Sequence, residues 1–114
     1  MSSEERPVCR VLQQIPDALQ AWVDRHQAEP GVHFYDDGTH QYVLIALGQR
    51  KTGGHSVAID AVEWNGETVL VHYHERLPGP HTLVTQVISY PTVLLEVEER
   101  QARVLAVQGP AVPV

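Results

Sequence analysis

Val57-Ala58-Ile59-Asp60-Ala61-Val62-Glu63-Trp64-Asn65-Gly66-Glu67-Thr68-Val69-Leu70-Val71-His72-Tyr73 is the stretch that settles the kind of fold. Apolar residues recur at every second position on both sides of Asn65-Gly66, the spacing of strands with one buried face. An Asn-Gly pair between two such runs is a strong hairpin signal. It calls for a type I′ turn, in which both central residues take positive φ. On the return run Val69, Val71 and Tyr73 share one face, while Leu70, His72 and His74 share the other. On the outgoing run the phase slips. Val57, Ile59 and Ala61 are in step, and the step then passes to Val62 and Trp64. One extra residue, a β-bulge, produces such a slip.

Upstream, Tyr42 to Leu47 is continuously apolar, as a strand buried on both faces requires. It runs into Gly48-Gln49-Arg50-Lys51-Thr52-Gly53-Gly54-His55, a polar elbow in which paired glycines allow positive φ or close backbone approach. Thr52 is expected there as an exposed hydroxyl. Asp36-Asp37-Gly38-Thr39 reads as a turn. Further back, Ile15, Leu19, Trp22, Val23 and His26 fall on one face at helical spacing. Pro16 suits a first helical turn, Asp17 suits the positive end of the helix dipole, and Glu29-Pro30-Gly31 stops the helix. A helix is therefore expected over Pro16 to His26, with a short β-prone run at Val8 to Leu12 before it.

Downstream, Pro78-Gly79-Pro80 forces a loop. Strands are expected over Leu83 to Tyr90, stopped by Pro91, over Val93 to Val97, and over Arg103 to Val107. Glu98 to Gln101 forms a polar turn, and Gly109 to Val114 reads as a frayed tail. One helix and about six later strands imply a single α+β domain over 1–114, with its core at about 8–107 and a tail at 108–114. The helix is expected to pack on a curved, mainly antiparallel sheet, as a partial barrel or a sandwich. Two apolar strands within Leu83 to Val97 would leave one at an edge, free to pair with a second copy as a homodimer.

Composition narrows the function. The net charge is -6 and no lysine-arginine cluster occurs. Nucleic acid and anionic membrane surfaces both demand a basic patch, so neither is an expected partner. Cys9 is the only cysteine, so no intramolecular disulfide can form. The polar start, Met1 to Arg10, has no apolar signal region, and a cytoplasmic location is expected for the chain as given.

His72 and His74 lie on one strand face, and both imidazoles could reach one ion. A site would need further ligands from His55, His81 or Glu75, and nothing in the spacing requires them. Two partly solvated histidines are the plainer reading, and no metal or other cofactor is expected. Cys9 lies in a β-prone run and reads as a small core residue. Thr52 and Ser56 have histidines nearby but no Gly-x-Ser-x-Gly elbow. The carboxylates Asp60, Glu63, Glu75, Glu96, Glu98 and Glu99 are scattered and specify no acid-base pair. In Gly48 to His55 the lysine precedes the glycines and a strand follows, which is not a phosphate-binding loop. Its amides could form an anion nest, but a tight strand connection explains the glycines as well. The expectation is that the protein is not an enzyme.

Three segments in order resemble the C-terminal domain of the PrcB family, a subunit of a bacterial protease complex. Gly48-Gln49-Arg50-Lys51-Thr52-Gly53-Gly54-His55-Ser56 is similar to a Gly-x-x-Pro-Thr-Gly-Gly-Tyr-Ser pattern, with Lys51 in place of proline and His55 in place of tyrosine. Pro78-Gly79-Pro80 follows, and Val84-Thr85-Gln86-Val87-Ile88-Ser89-Tyr90-Pro91 is similar to Val-Thr-Gln-x-x-Thr-x-Pro. The resemblance spans roughly Val8 to Val97. It implies a non-catalytic accessory domain associated with proteases, with a protein partner of that kind bound by a loop of Arg50, Lys51, Thr52, Gly53, Gly54 and His55 with Pro78, Gly79 and Pro80. The Thr-Gly-Gly loop also resembles that of chagasin-type cysteine-protease inhibitors. Their Arg-Pro-aromatic motif has no good counterpart in Arg76-Leu77-Pro78.

Overall fold

The computed structural model describes residues 9–79, 82–98 and 101–113. Strands β1 (Cys9–Val11), β2 (Gly31–Asp36), β3 (Gln41–Ala46) and β6 (Thr92–Val97) form one antiparallel sheet in the order β1-β6-β3-β2. Strands β4 (Ser56–Trp64), β5 (Thr68–Leu77) and β7 (Arg103–Gln108) form a second sheet. There β4 is antiparallel to β5, and β7 is parallel to it. The only α-helix among the described residues, α1 (Gln20–His26), follows a 3₁₀ turn at Asp17–Leu19. No described helix is long and apolar enough to cross a membrane.

The expected α+β arrangement, one helix on one curved sheet, is overturned by this mostly β, two-sheet structure. The reason lies in β3, which is buried along its whole length. Val43, Ile45 and Leu47 face the second sheet and pack with Val69, Val71, Tyr73, Leu95, Val97 and Val104. Tyr42 and Leu44 face the other way and pack with Leu19, Val23 and Leu94. A strand apolar on both faces needs a cover on each side, and one helix supplies only one. The β4-β5 hairpin supplies the other.

The helix is also shorter than the expected Pro16 to His26. Pro16 is extended (φ -58°, ψ 143°), and no side chain caps the turn that follows. Uncapped N–H groups favour tightening of the first turn into 3₁₀ geometry, which the Leu19 N–H to Pro16 carbonyl bond closes at 2.9 Å.

The hairpin forms where expected, and its register slips between Ile59 and Ala61, leaving Asp60 as the bulged residue. The turn is not type I′. Gly66 has φ 102°, but no residue other than glycine has positive φ among those described. Asn65 instead accepts the N–H groups of Glu67 and Thr68 on its side-chain oxygen, at 3.1 and 2.8 Å. That side-chain turn replaces the backbone conformation the I′ type needs.

Leu83 to Tyr90 is not a strand. It crosses from one sheet to the other and makes a single bridge, Ser89 with Arg50. Strand β6 is then an inner strand between β1 and β3 rather than an edge strand. The described part of the tail, 109–113, is not frayed either. The Gly109 N–H donates to the Tyr73 carbonyl at 2.7 Å, and β8 (Val112–Pro113) pairs with Arg76 and Leu77. The end of β5 had an unpaired edge, and the tail satisfies it.

Ile45 lies between the sheets with no exposed surface, whereas Leu105, on the outer face of β7, is half exposed. Ile45→Ala is expected to cost about 2–5 kcal/mol, and Leu105→Ala within about 0.5 kcal/mol of nothing. Urea denaturation of both variants checks the inter-sheet core; equal effects would contradict it.

Candidate functional site

The inward-facing row of β5 runs Val69, Val71, Tyr73, Glu75 and so ends on a carboxylate. Glu75 is only 7% exposed. A buried carboxylate needs charged and hydrogen-bonding partners, and the loop between β3 and β4 provides them. Arg50 donates from Nε to Oε2 of Glu75 at 2.9 Å and from a terminal nitrogen to Oε1 at 3.0 Å. Its other terminal nitrogen donates to the carbonyls of Leu47 and Gln49, both at 3.1 Å. His55 Nδ1 lies 2.8 Å from Oε2. The Glu75 carboxyl is held below its ordinary value of 4.5, first by the Arg50 hydrogen bonds and then by His55, against the opposing effect of burial. The same bonds push the Arg50 guanidinium up.

This ion group fixes a pair of loops. The Arg50 and Ser89 backbones exchange two hydrogen bonds of 2.9 Å. The Gly53 N–H donates to the Thr85 carbonyl at 3.0 Å, and the Ser89 hydroxyl donates to the Thr52 carbonyl at 2.7 Å. Gly54 takes φ +89°, and a Cβ there would stand 3.0 Å from both Pro78 and Val84. Gly53 does not have positive φ, but its added Cβ would stand 2.6 Å from the Thr85 hydroxyl oxygen. The two glycines thus serve different needs, one a backbone conformation and the other a close approach.

Of the expected loop residues, Arg50, Thr52, Gly53, Gly54, His55 and Pro78 come together. Lys51 is exposed on the same loop, and the Gly79 carbonyl accepts the Thr82 N–H at 3.1 Å. Pro80 lies outside the described residues, as does His81. Thr52 is half-buried rather than exposed, with its hydroxyl 3.5 Å from His55 Nε2. The apolar surface at this end belongs instead to 82–91, where Leu83 is 98% exposed and Val87, Ile88 and Tyr90 are also exposed.

His72 and His74 do share the outer face of β5. Each is held by a β4 carboxylate: His72 by Glu63 at 3.4 Å, His74 by Asp60 at 2.8 Å. Neither belongs to a group of three metal-ligating side chains among the described residues. Cys9 is half-buried, and burial pushes its thiol up, away from the reactive thiolate. The site residues the sequence reading missed are Glu75, Thr85 and Ser89. Glu75 had a visible signal. It stands two residues beyond Tyr73 on the apolar face of an alternating strand, where a carboxylate demands a cation.

The family model described as PrcB C-terminal matches residues 41–98, just over half of the chain. The match begins with β3 and takes in both loops, the hairpin and β6. No curated protein and no solved structure matches.

Glu75→Gln, which leaves Arg50 facing a neutral partner, is expected to cost about 3 kcal/mol, the low end for a broken buried pair because Arg50 is partly exposed. The native carboxyl binds its proton less readily than the unfolded one. Its contribution is therefore complete above 4.5 and is lost as pH falls through the lower native value. Urea denaturation between neutral and strongly acid pH should show this acid-dependent loss in the wild type and a weaker one in Glu75→Gln. Parallel pH profiles would refute the assignment.

The glycines predict a second contrast. Gly53→Ala should be restored by Thr85→Ala, which removes the obstructing oxygen. Gly54→Ala should keep a strain cost of about 1–3 kcal/mol in any neighbouring background, because its backbone conformation is unchanged. Thermal melts of the single and paired variants read this directly.

Proposed function

This chain belongs to the PrcB C-terminal family, and from that premise we propose that it is a non-catalytic accessory domain that binds a protein partner, a protease or a subunit of a protease assembly, through its braced loop pair. The observation that carries the reading is the exposed apolar row Leu83, Val87, Ile88 and Tyr90 on a segment tied to the loop of Arg50 to Gly54. Contiguous exposed apolar side chains on a soluble domain mark interaction surfaces. A loop already held by hydrogen bonds and an ion pair pays little ordering entropy when a partner docks.

Thr52, His55 and Glu75 stand in the order hydroxyl, imidazole, carboxylate, which invites comparison with a nucleophilic triad. Several features favour a brace over catalysis. Arg50 occupies both carboxylate oxygens, the Thr52 hydroxyl stands at the outer limit of hydrogen-bonding distance, and the Thr52 carbonyl is clamped by Ser89. A wedge inhibitor of the chagasin kind would need a projecting Thr-Gly-Gly tip, whereas Gly53 is tied to Thr85 and Gly54 abuts Pro78 and Val84.

The test is affinity capture of a partner from source lysate, followed by binding measurements with that partner purified. The paired variant Leu83→Asp and Val87→Asp should fold as the wild type does and bind at least about tenfold more weakly, as expected when anchor residues are lost. Unchanged affinity would move the interface elsewhere. Substrate turnover by the purified chain that disappears in Thr52→Ala would replace this reading with an enzymatic one.

A further inference from the structure

At the far end of α1 a different cluster forms, unconnected with the loop pair. His26 is the last residue of the helix, Glu29 lies in the turn that follows, and His33 lies on edge strand β2. One ligand atom from each lies within 4.8 Å of the other two. His26 Nδ1 is already 3.0 Å from Oε1 of Glu29, and the two imidazole rings are 4.8 Å apart between centres. His33 pairs with Leu44 in the sheet, which places it on the helix side of β2, facing the helix end. The geometry points to a binding site for one divalent zinc-like cation, held by His26, Glu29 and His33.

Two imidazoles and a carboxylate suit zinc, cobalt, nickel or copper and do not suit magnesium or calcium, which prefer all-oxygen shells. Three protein ligands leave a fourth position for water or an outside donor. The donor atoms must draw in to the ~3.3 Å spacing around a tetrahedral ion. Glu29 is exposed and free to rotate inward, and both histidines are only half-buried. The His33 Nε2 contact with the Glu29 carbonyl, 2.9 Å, orients that ring in the absence of an ion. The sequence carries the motif as His-x-x-Glu-x-x-x-His, split between a helix end and a strand start. A bound ion would pin the C-terminal end of α1 to the edge of the first sheet.

The Trp22 ring lies 5.8 Å from the His26 ring, so it reports on the site. In tag-free full-length protein carrying Trp64→Phe, cobalt or nickel should quench Trp22 fluorescence saturably. Zinc calorimetry on the wild type should give one site per chain in the micromolar range. Glu29→Gln alters only an exposed side chain, so its metal-free melt should match the wild type while zinc affinity falls at least tenfold. His33→Ala should abolish both signals, and the pair His72→Ala and His74→Ala should change neither. The proposal is overturned by no zinc binding at millimolar metal. It is equally overturned by unchanged affinity in Glu29→Gln and His33→Ala, or by loss of binding in the His72 and His74 pair.

Discussion

Strand β3 is the layer on which both cores are built. Its even-numbered side chains, Tyr42 and Leu44, seat the helix; its odd-numbered ones, Val43 and Ile45, seat the second sheet. Because side chains alternate, one short strand serves both layers without conflict. Its neighbours β2 and β6 saturate its hydrogen bonds on either edge. Strand β5 has the complementary design. It buries Val69, Val71 and Tyr73 on one face only and leaves its histidines on the other. The inter-sheet core joins these two strands, although they lie in different sheets.

Glu75 stands where that core meets solvent. A carboxylate on the apolar face of a strand is costly alone, so the fold is obliged to bring a cation to it. The cation comes from the loop that leaves β3, and the loop brings Thr52, Gly53 and Gly54 with it. Segment 82–91 then has a defined rail to follow from one sheet to the other, through Thr85 and Ser89. A charge placed for local reasons on β5 therefore determines the shape of a surface made by two loops distant in sequence.

Several of these features were legible in the residues. The unbroken run Tyr42 to Leu47 already called for cover on both faces, the phase slip expected after Ala61 marked a bulge that the structure places just before it, at Asp60, and Asn65-Gly66 placed the hairpin. The Thr-Gly-Gly and Val-Thr-Gln segments marked the loop pair and the family. Leu83 to Tyr90 misled because its β-prone apolar residues lie on an exposed segment that crosses between the sheets with a single bridge. Periodicity reports which side chains are apolar, not what covers them. The tail misled for the opposite reason: prolines and glycines suggested fraying, but a vacant stretch of β5 edge was waiting for it.

Local chemistry thus determined on its own the buried strand, the hairpin, the bulge and the turn at Asp36 to Thr39, since each rests on side-chain periodicity or on contacts within a few residues. Tertiary structure decided the division into two sheets, the parallel pairing of β7 with β5, and the meeting of Arg50, His55 and Glu75. It also decided the meeting of His26 with His33. These depend on which faces and edges remain uncovered once the first elements have formed. A linear pattern of residue types carries no record of that competition.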